Sequence, residues 1–285
     1  MTEVRKLLER EFPPLLSEMP DPPHSLYMRG SLPPPGAALL SVVGSRRMSA
    51  YGKEACERLI AGLAGYPISI VSGLALGIDG VAHTAALKAG LHTLAIPGSG
   101  LDDSVLYPRS HHGLAREILK ASGGLLSEEP PLFRARPESF PKRNRIMAGI
   151  SRATLVVEAS IKSGTLITAR LALDYNRELL AVPHPIFSES GAGGHLFMKL
   201  GAAPVRSTDD ILEALRIEPA TSATAQALDL SPNEERVLGA LVGPLPRDEI
   251  IRTLGMSTAE ANALLLSMEL RGLIQETLGA VRKVI

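Results

Sequence analysis

Four groups of residues have types and spacings that could do chemistry. The first is Gly44-Ser45-Arg46-Arg47. Glycine and serine permit a tight turn with backbone N–H groups pointing outward, and an arginine fork beside them suits phosphate oxygens. Taken alone, the motif reads equally as a plain turn with solvated arginines. The second runs Ser72-Gly73-Leu74-Ala75-Leu76-Gly77-Ile78-Asp79-Gly80, with His83 one helical turn beyond Asp79. Its glycines fall as G-x-x-x-G-x-x-G and no acid follows about 20 residues on to hold a ribose, so it is not the dinucleotide fingerprint. Asp79 reads as a helix cap and His83 as its i+4 hydrogen-bond partner. The third is Ser163-Gly164-Thr165 at a predicted helix start, five residues after Glu158. It offers N–H and hydroxyl donors to an anion, or is an ordinary cap. Glu158 closes an apolar run and could serve as a general base or bond backbone N–H groups across the turn.

The fourth and sharpest group lies between Arg134 and Arg152. Arg134, Arg136, Lys142, Arg143, Arg145 and Arg152 face only Glu138, a local net charge of +5 in a chain with 30 basic and 30 acidic residues. Phe133 and Phe140 are interleaved with these cations, and Pro141 marks the first turn of a helix. Cations that track a sugar-phosphate backbone, with a ring offered to a base, are what single-stranded nucleic acid needs. A charge run is more often a solvated face, but this one belongs beside the Gly-Ser-Arg turn.

Other chemistries lack their residues. There is no G-x-x-x-x-G-K-[ST] run, so a P-loop is excluded. His111 and His112 are adjacent and no H-E-x-x-H occurs, so neither a metal nor any other cofactor is expected. The single cysteine, Cys56, cannot form an internal disulfide, and no run of about 18 apolar residues appears. A cytoplasmic protein with no membrane association is expected. Aromatic residues make up only 4% and tryptophan is absent.

The elements that must hold these groups form a rhythm. Apolar runs LLSVVG, ISIVSG, HTLAIPG, TLVVEAS and ELLAVPH alternate with helix-length stretches between residues 39 and 216. Such alternation implies right-handed βαβ units and a parallel sheet buried on both faces. The predicted fold is a doubly wound, Rossmann-like α/β domain of six or seven strands over residues 35–216, preceded by an irregular Pro-rich surface lead-in over 1–34. In this fold, ligands bind beyond the carboxyl ends of the strands. Residues 217–230 read as a linker. Residues 231–285 carry three helical patterns and a terminal β-wing, a small winged-helix domain. That domain has six basic and seven acidic residues. Thr258, Glu260 and Asn262 stand where its recognition helix would meet phosphates, which favours a protein partner over duplex DNA.

Taken in order, the motifs resemble one family. They are Gly44-Ser45-Arg46, Ser72-Gly73-Leu74-Ala75-x-Gly77-Ile78-Asp79-x-x-Ala82-His83, Tyr107-Pro108, Ser127-Glu128, Phe140-Pro141-x-Arg143-Asn144-Arg145-Ile146, Glu158-Ala159, Ser163-Gly164-Thr165-Leu166-Ile167-Thr168-Ala169 and Gly201-Ala202. This set is similar to that of DprA (Smf), the DNA-processing protein of bacterial natural transformation. The resemblance implies an extended Rossmann-like fold, a homodimer, sequence-independent binding and protection of single-stranded DNA, and loading of the recombinase RecA. It carries DNA contact to Ser45, Arg46, Phe140, Lys142, Arg143 and Asn144. The residue readings add Gly44, Arg47, Ser72, Gly73, Arg145, Ser163, Gly164 and Thr165. About 3 to 5 neutralised phosphates would give a log-log salt slope of about −2 to −3.5. The chain departs from the family at His184, where a glycine is usual. A rival reading is a nucleotide or nucleoside monophosphate hydrolase of the lysine-decarboxylase-like Rossmann type, with Glu158 and Gly164-Thr165 as its site.

Overall fold

Side-chain alternation along the apolar runs decides the layering. In the computed structural model, which describes residues 3–218 and 230–283 except Val242 and Leu278, Leu40, Val42, Ile70, Leu155 and Val157 pack on one face of a sheet. Their neighbours Val43, Val71 and Val156 pack on the other. Both faces are buried, so each strand is apolar throughout. Burying one such side chain contributes about 1.5–3 kcal/mol.

The chain divides into two compact units, Met1–Pro219 and Ala220–Ile285. The first runs β1 (Arg5–Lys6), β2 (Tyr27–Gly30), β3 (Ala38–Gly44), α1 (Ala50–Ala61), β4 (Ile68–Ser72), α2 (Ile78–Lys88) and β5 (His92–Ala95). It continues with α3 (His112–Lys120), β6 (Gly124–Ser127), α4 (Ser139–Ile150), β7 (Ala153–Glu158), α5 (Thr165–Asp174), β8 (Glu178–Ala181), α6 (Ala192–Lys199), β9 (Ala203–Pro204) and α7 (Thr208–Leu215). Among the described residues these strands form one nine-stranded sheet, ordered β1-β2-β6-β5-β4-β3-β7-β8-β9. From β6 to β9 every pairing is parallel. The order reverses between β3 and β7, the switch point of a doubly wound fold, where a crevice opens beyond the strand ends. Helices α1, α2 and α7 cover one face; α4, α5 and α6 cover the other.

Two features differ from the sequence expectation. The Pro-rich start is not a surface lead-in: β2 extends the sheet antiparallel to β6, and β1 adds to it antiparallel to β2. Leu7, Leu16, Met19, Leu26 and Met28 are buried in the main core. The prolines fall in short 3-10 helices and connections, where no ladder N–H is needed, and so do not prevent edge strands. The run Gly124–Ser127, too short and glycine-bounded to stand out, forms β6. The proposed linker lies almost wholly outside the described residues.

In the second unit, α8 (Pro232–Ala240), β10 (Leu245–Pro246), α9 (Arg247–Leu254) and α10 (Thr258–Leu270) precede β11 (Ile274–Thr277) and β12 (Ala280–Lys283). Capping boxes start α8 and α10, with Ser231 and Ser257 accepting the N–H groups of Glu234 and Glu260. An antiparallel β10-β12-β11 sheet forms the wing. Asn262 is engaged inside this unit, accepting Arg247 Nε at 2.9 Å. Leu266 and Leu270 are exposed on α10.

One buried group in the first unit sets a pH response. His83 on α2 is fully buried, its Nδ1 lies 2.7 Å from the Thr93 hydroxyl, and burial pushes its pKa down to about 3. Unfolding frees a histidine of ordinary pKa about 6.5, so between these values the unfolded chain binds more protons. Stability is therefore full above about pH 6.5 and declines as pH falls, by about 2 kcal/mol between pH 7 and pH 5. His92 shifts in the same direction, again through burial. Urea unfolding at the two pH values should show this loss, and His83→Gln should reduce it.

Candidate nucleic-acid interface

The Gly-Ser-Arg turn is held by the end of β7 and the start of α2. Ser45 donates its N–H to the Glu158 carbonyl at the end of β7 (2.8 Å) and accepts from the Ile78 N–H at the start of α2 (3.1 Å). Arg47 N–H bonds the Ser45 hydroxyl at 3.1 Å. Gly77, with φ of 79°, packs so closely on Ser45 and Arg46 that a Cβ would overlap their backbone. The Glu158 carboxylate accepts from the Ser49 N–H (3.0 and 3.2 Å) and hydroxyl (2.8 Å), fixing the N-cap of α1. Glu158 is buried and spends its oxygens on this clamp, so of its two sequence readings the structural one fits.

Beyond this turn lies a cleft of about 440 Å³. The sequence-selected residues Gly44, Ser45, Arg46, Arg47, Phe140, Arg143, Asn144, Ser163, Gly164 and Thr165 all line it. Helical spacing explains the α4 contribution: Phe140, Arg143, Asn144 and Met147 recur at i, i+3, i+4 and i+7 and share one face. Met147, Ser160, Ile167 and Thr168 also line the cleft and were not selected from sequence. The same 3.6-residue periodicity, extended from Phe140 and Gly164, was the signal for Met147, Ile167 and Thr168. Arg46 is exposed and stands over the Phe140 ring, 5.2 Å from its centroid, and Phe140 in turn meets Tyr107 at 5.7 Å. Neither Arg46 nor Arg47 forms an ion pair among the described residues.

The remaining cations of α4 are placed differently. Lys142 and Arg145 occupy its other side: Lys142 pairs with Glu129 (3.0 Å) and Glu128 (3.6 Å), and Arg145 with Glu128 (2.5 Å) and Asp21 (3.6 Å). The Lys142 hydrogen bond to Glu129 raises its pKa. The +5 of residues 134–152 is thus offset by acids outside that stretch. Arg143 is 8% exposed and bonds the Ile96 carbonyl. A Cβ at Gly73 would overlap its guanidinium, so the glycine makes room for it. Burial lowers the Arg143 pKa to about 10 while nearby Asp79 opposes the fall. Burial likewise raises the Asp79 pKa, against the influence of Arg143. Asp79 accepts from the Gly73 and Ala75 N–H groups (3.1 and 3.3 Å), tying down the β4–α2 turn; it does not cap α2 or bond His83. Ser72 is buried and donates to the Val42 carbonyl beneath the cleft. Among the described residues no group of three or more potential metal ligands gathers.

Just before and at the start of α5, Ser163 Oγ accepts the Thr165 N–H at 3.2 Å and donates to the Thr165 hydroxyl at 2.9 Å, forming the opposite wall of the cleft. The crevice is polar and cationic, with an aromatic ring at its rim, and suits anionic rather than apolar groups.

The doubly wound sheet and its switch-point crevice define a Rossmann-like protein, carried on one chain with a winged-helix domain. The chain belongs to the DprA (Smf) family: the model described as DNA recombination-mediator protein A matches residues 3–216, and the DprA winged helix domain matches residues 221–279. Protein Smf of Escherichia coli is 38% identical over 272 residues, 92% of this chain and 72% of that protein. The structure of DNA processing protein A from Streptococcus pneumoniae superposes with a TM-score of 0.68 at 37% identity, covering 74% of each chain. DNA processing protein A from Helicobacter pylori, whose structure concerns its single-stranded DNA binding mode, gives 0.66 at 28% identity. That match covers 76% of this chain and 98% of that one.

Proposed function

We propose that this chain is a sequence-independent single-stranded DNA-binding protein that protects the strand and loads RecA onto it during transformation and recombination. The observation that carries the reading is Arg46, an unpaired cation over the Phe140 ring at the mouth of the switch-point cleft. Phosphates lie along Arg46, Arg47 and the Ser163-Gly164-Thr165 wall, and a base lies against Phe140. The Helicobacter pylori relative, with its single-stranded DNA binding mode, supports the ligand class. With Lys142, Arg143 and Arg145 engaged within the protein, the cleft offers two free arginines, and the expected log-log salt slope for oligo-dT falls to about −1.5. Anisotropy titrations across salt concentrations test this; a slope near zero would sink it. RecA filament assembly on coated single strands, with and without the protein, tests the loading step.

The protein acts without catalysis in this reading. The hydrolase alternative loses its base, because Glu158 is buried and taken by Ser49. Homodimerisation belongs to the same proposal and is supported by exposed Ile167 and Leu173 on α5, Leu196 on α6 and Leu200 just after it. The winged helix is a protein-interaction module, since α10 presents Leu266 and Leu270 and no arginine or lysine. Residues 229–285 alone should bind duplex DNA weakly at ~0.15 M salt, lacking the phosphate term; tight binding in a gel-shift assay would refute this assignment.

A further inference from the structure

The carboxyl edge of the sheet carries a second aromatic group outside the cleft. Tyr51, in the first turn of α1, donates its hydroxyl to the Pro183 carbonyl beyond β8 at 2.7 Å. Its ring meets His184 edge-on, with centroids 4.9 Å apart and planes at 77°. His184 is fixed in turn: its Nδ1 lies 3.0 Å from the Val182 carbonyl, and its own carbonyl accepts His195 Nε2 at 3.0 Å. Three residues further, Phe187 is 93% exposed and Ile186 is 78% exposed. Core packing accounts for neither. The cations of this edge, Arg47 before α1 and Lys162 before α5, are exposed and without ion pairs among the described residues. The β8–α6 loop carries one acid, Glu189.

We propose that Tyr51, backed by His184, and Phe187 form a second base-stacking station for the same single strand whose phosphates the cleft holds, and this rests on the function proposed above. β8 lies two strands from β3 in the sheet. The station is therefore about 10 Å from the Gly-Ser-Arg turn, a step of a few nucleotides. Arg47 and Lys162 lie on the connections between the two sites and supply the charge that keeps the phosphates on that course. Rings that stack without hydrogen bonds to base edges preserve indifference to sequence. A held strand is thereby gripped at two neighbouring points along the sheet's carboxyl edge, with its bases splayed apart.

The test uses the full chain and oligo-dT of about 4 and about 16 nucleotides, spanning the usual range of single-strand site sizes. Phe187→Ala should weaken the longer oligonucleotide about fivefold or more and leave the shorter one unchanged. Because the natural chain has no tryptophan, Phe187→Trp supplies a single reporter. It should restore affinity, with fluorescence quenched by the longer oligonucleotide only. Normal binding of both lengths by Phe187→Ala overturns the station and leaves the cleft standing. Normal binding of both by Arg46→Ala overturns the cleft, and the station with it. If Phe187→Ala also converts a dimer to a monomer in light scattering, the ring belongs to an interface with a second copy, and the proposal falls.

Discussion

Replacing Arg46 by alanine should lower affinity for oligo-dT about tenfold or more and reduce the salt slope by about 0.7, one phosphate's share on a single strand. Folding stability should stay within about 0.5 kcal/mol, because the side chain is exposed and its packing is confined to the face of Phe140. Losing the cation removes both a charge-assisted hydrogen bond to phosphate and the support that keeps the ring turned to the cleft. Lys142→Ala is the informative control. Its ammonium is shared between Glu128 and Glu129, so affinity should change by less than about twofold, as expected of a partly exposed ion pair. Equal losses in the two variants would show that net charge on this side of the molecule, rather than the cleft, holds the strand.

Arg143→Met should produce the opposite profile. The guanidinium sits under Gly73, bonds the Ile96 carbonyl and faces buried Asp79. Its removal takes away a cation that opposes the cost of burying the Asp79 charge, while the Gly73 and Ala75 N–H groups still donate to it. Breaking such a buried arrangement costs about 3 kcal/mol or more. Adding Asp79→Asn to the Arg143→Met chain should recover part of that loss, since the orphaned charge disappears. Urea denaturation at fixed pH measures the cycle. DNA affinity should fall through disorder of the β4–α2 turn, while the salt slope of the residual binding stays at the wild-type value. Unchanged stability with a reduced slope would return Arg143 to the phosphate-binding set.

These two arginines also show what could be read from the sequence. The doubly wound fold was legible because alternating apolar runs and helices leave few topologies, and the switch point then selects the strand ends where Gly44-Ser45-Arg46 and Ser163-Gly164-Thr165 fall. Phe140 and Asn144 came from the family resemblance, and the structure places them on one face of α4. What the sequence concealed was pairing across distance. Glu128, Glu129 and Asp21 reach α4 from outside the basic run, so a charge count confined to the run assigned to DNA two cations that the fold pairs with its own acids. Arg143 looked like its neighbours, yet helix phase turns it under the β4 end while Lys142 and Arg145 face away. The Pro-rich start was misread because proline density signals irregular chain, whereas Leu26, just before β2, and Met28, within it, are ordinary core residues at its far end.

The hydrogen bond from Ser45 to the Glu158 carbonyl joins residues more than a hundred positions apart, and the cleft walls come from opposite sides of the topological reversal. A chain emerging from the ribosome has its Gly-Ser-Arg turn early, but the wall facing it exists only once β7 has docked beside β3. Under the proposed function, strand binding is withheld until both halves of the sheet have assembled, and an incomplete or misassembled molecule would be a silent bystander with no formed cleft.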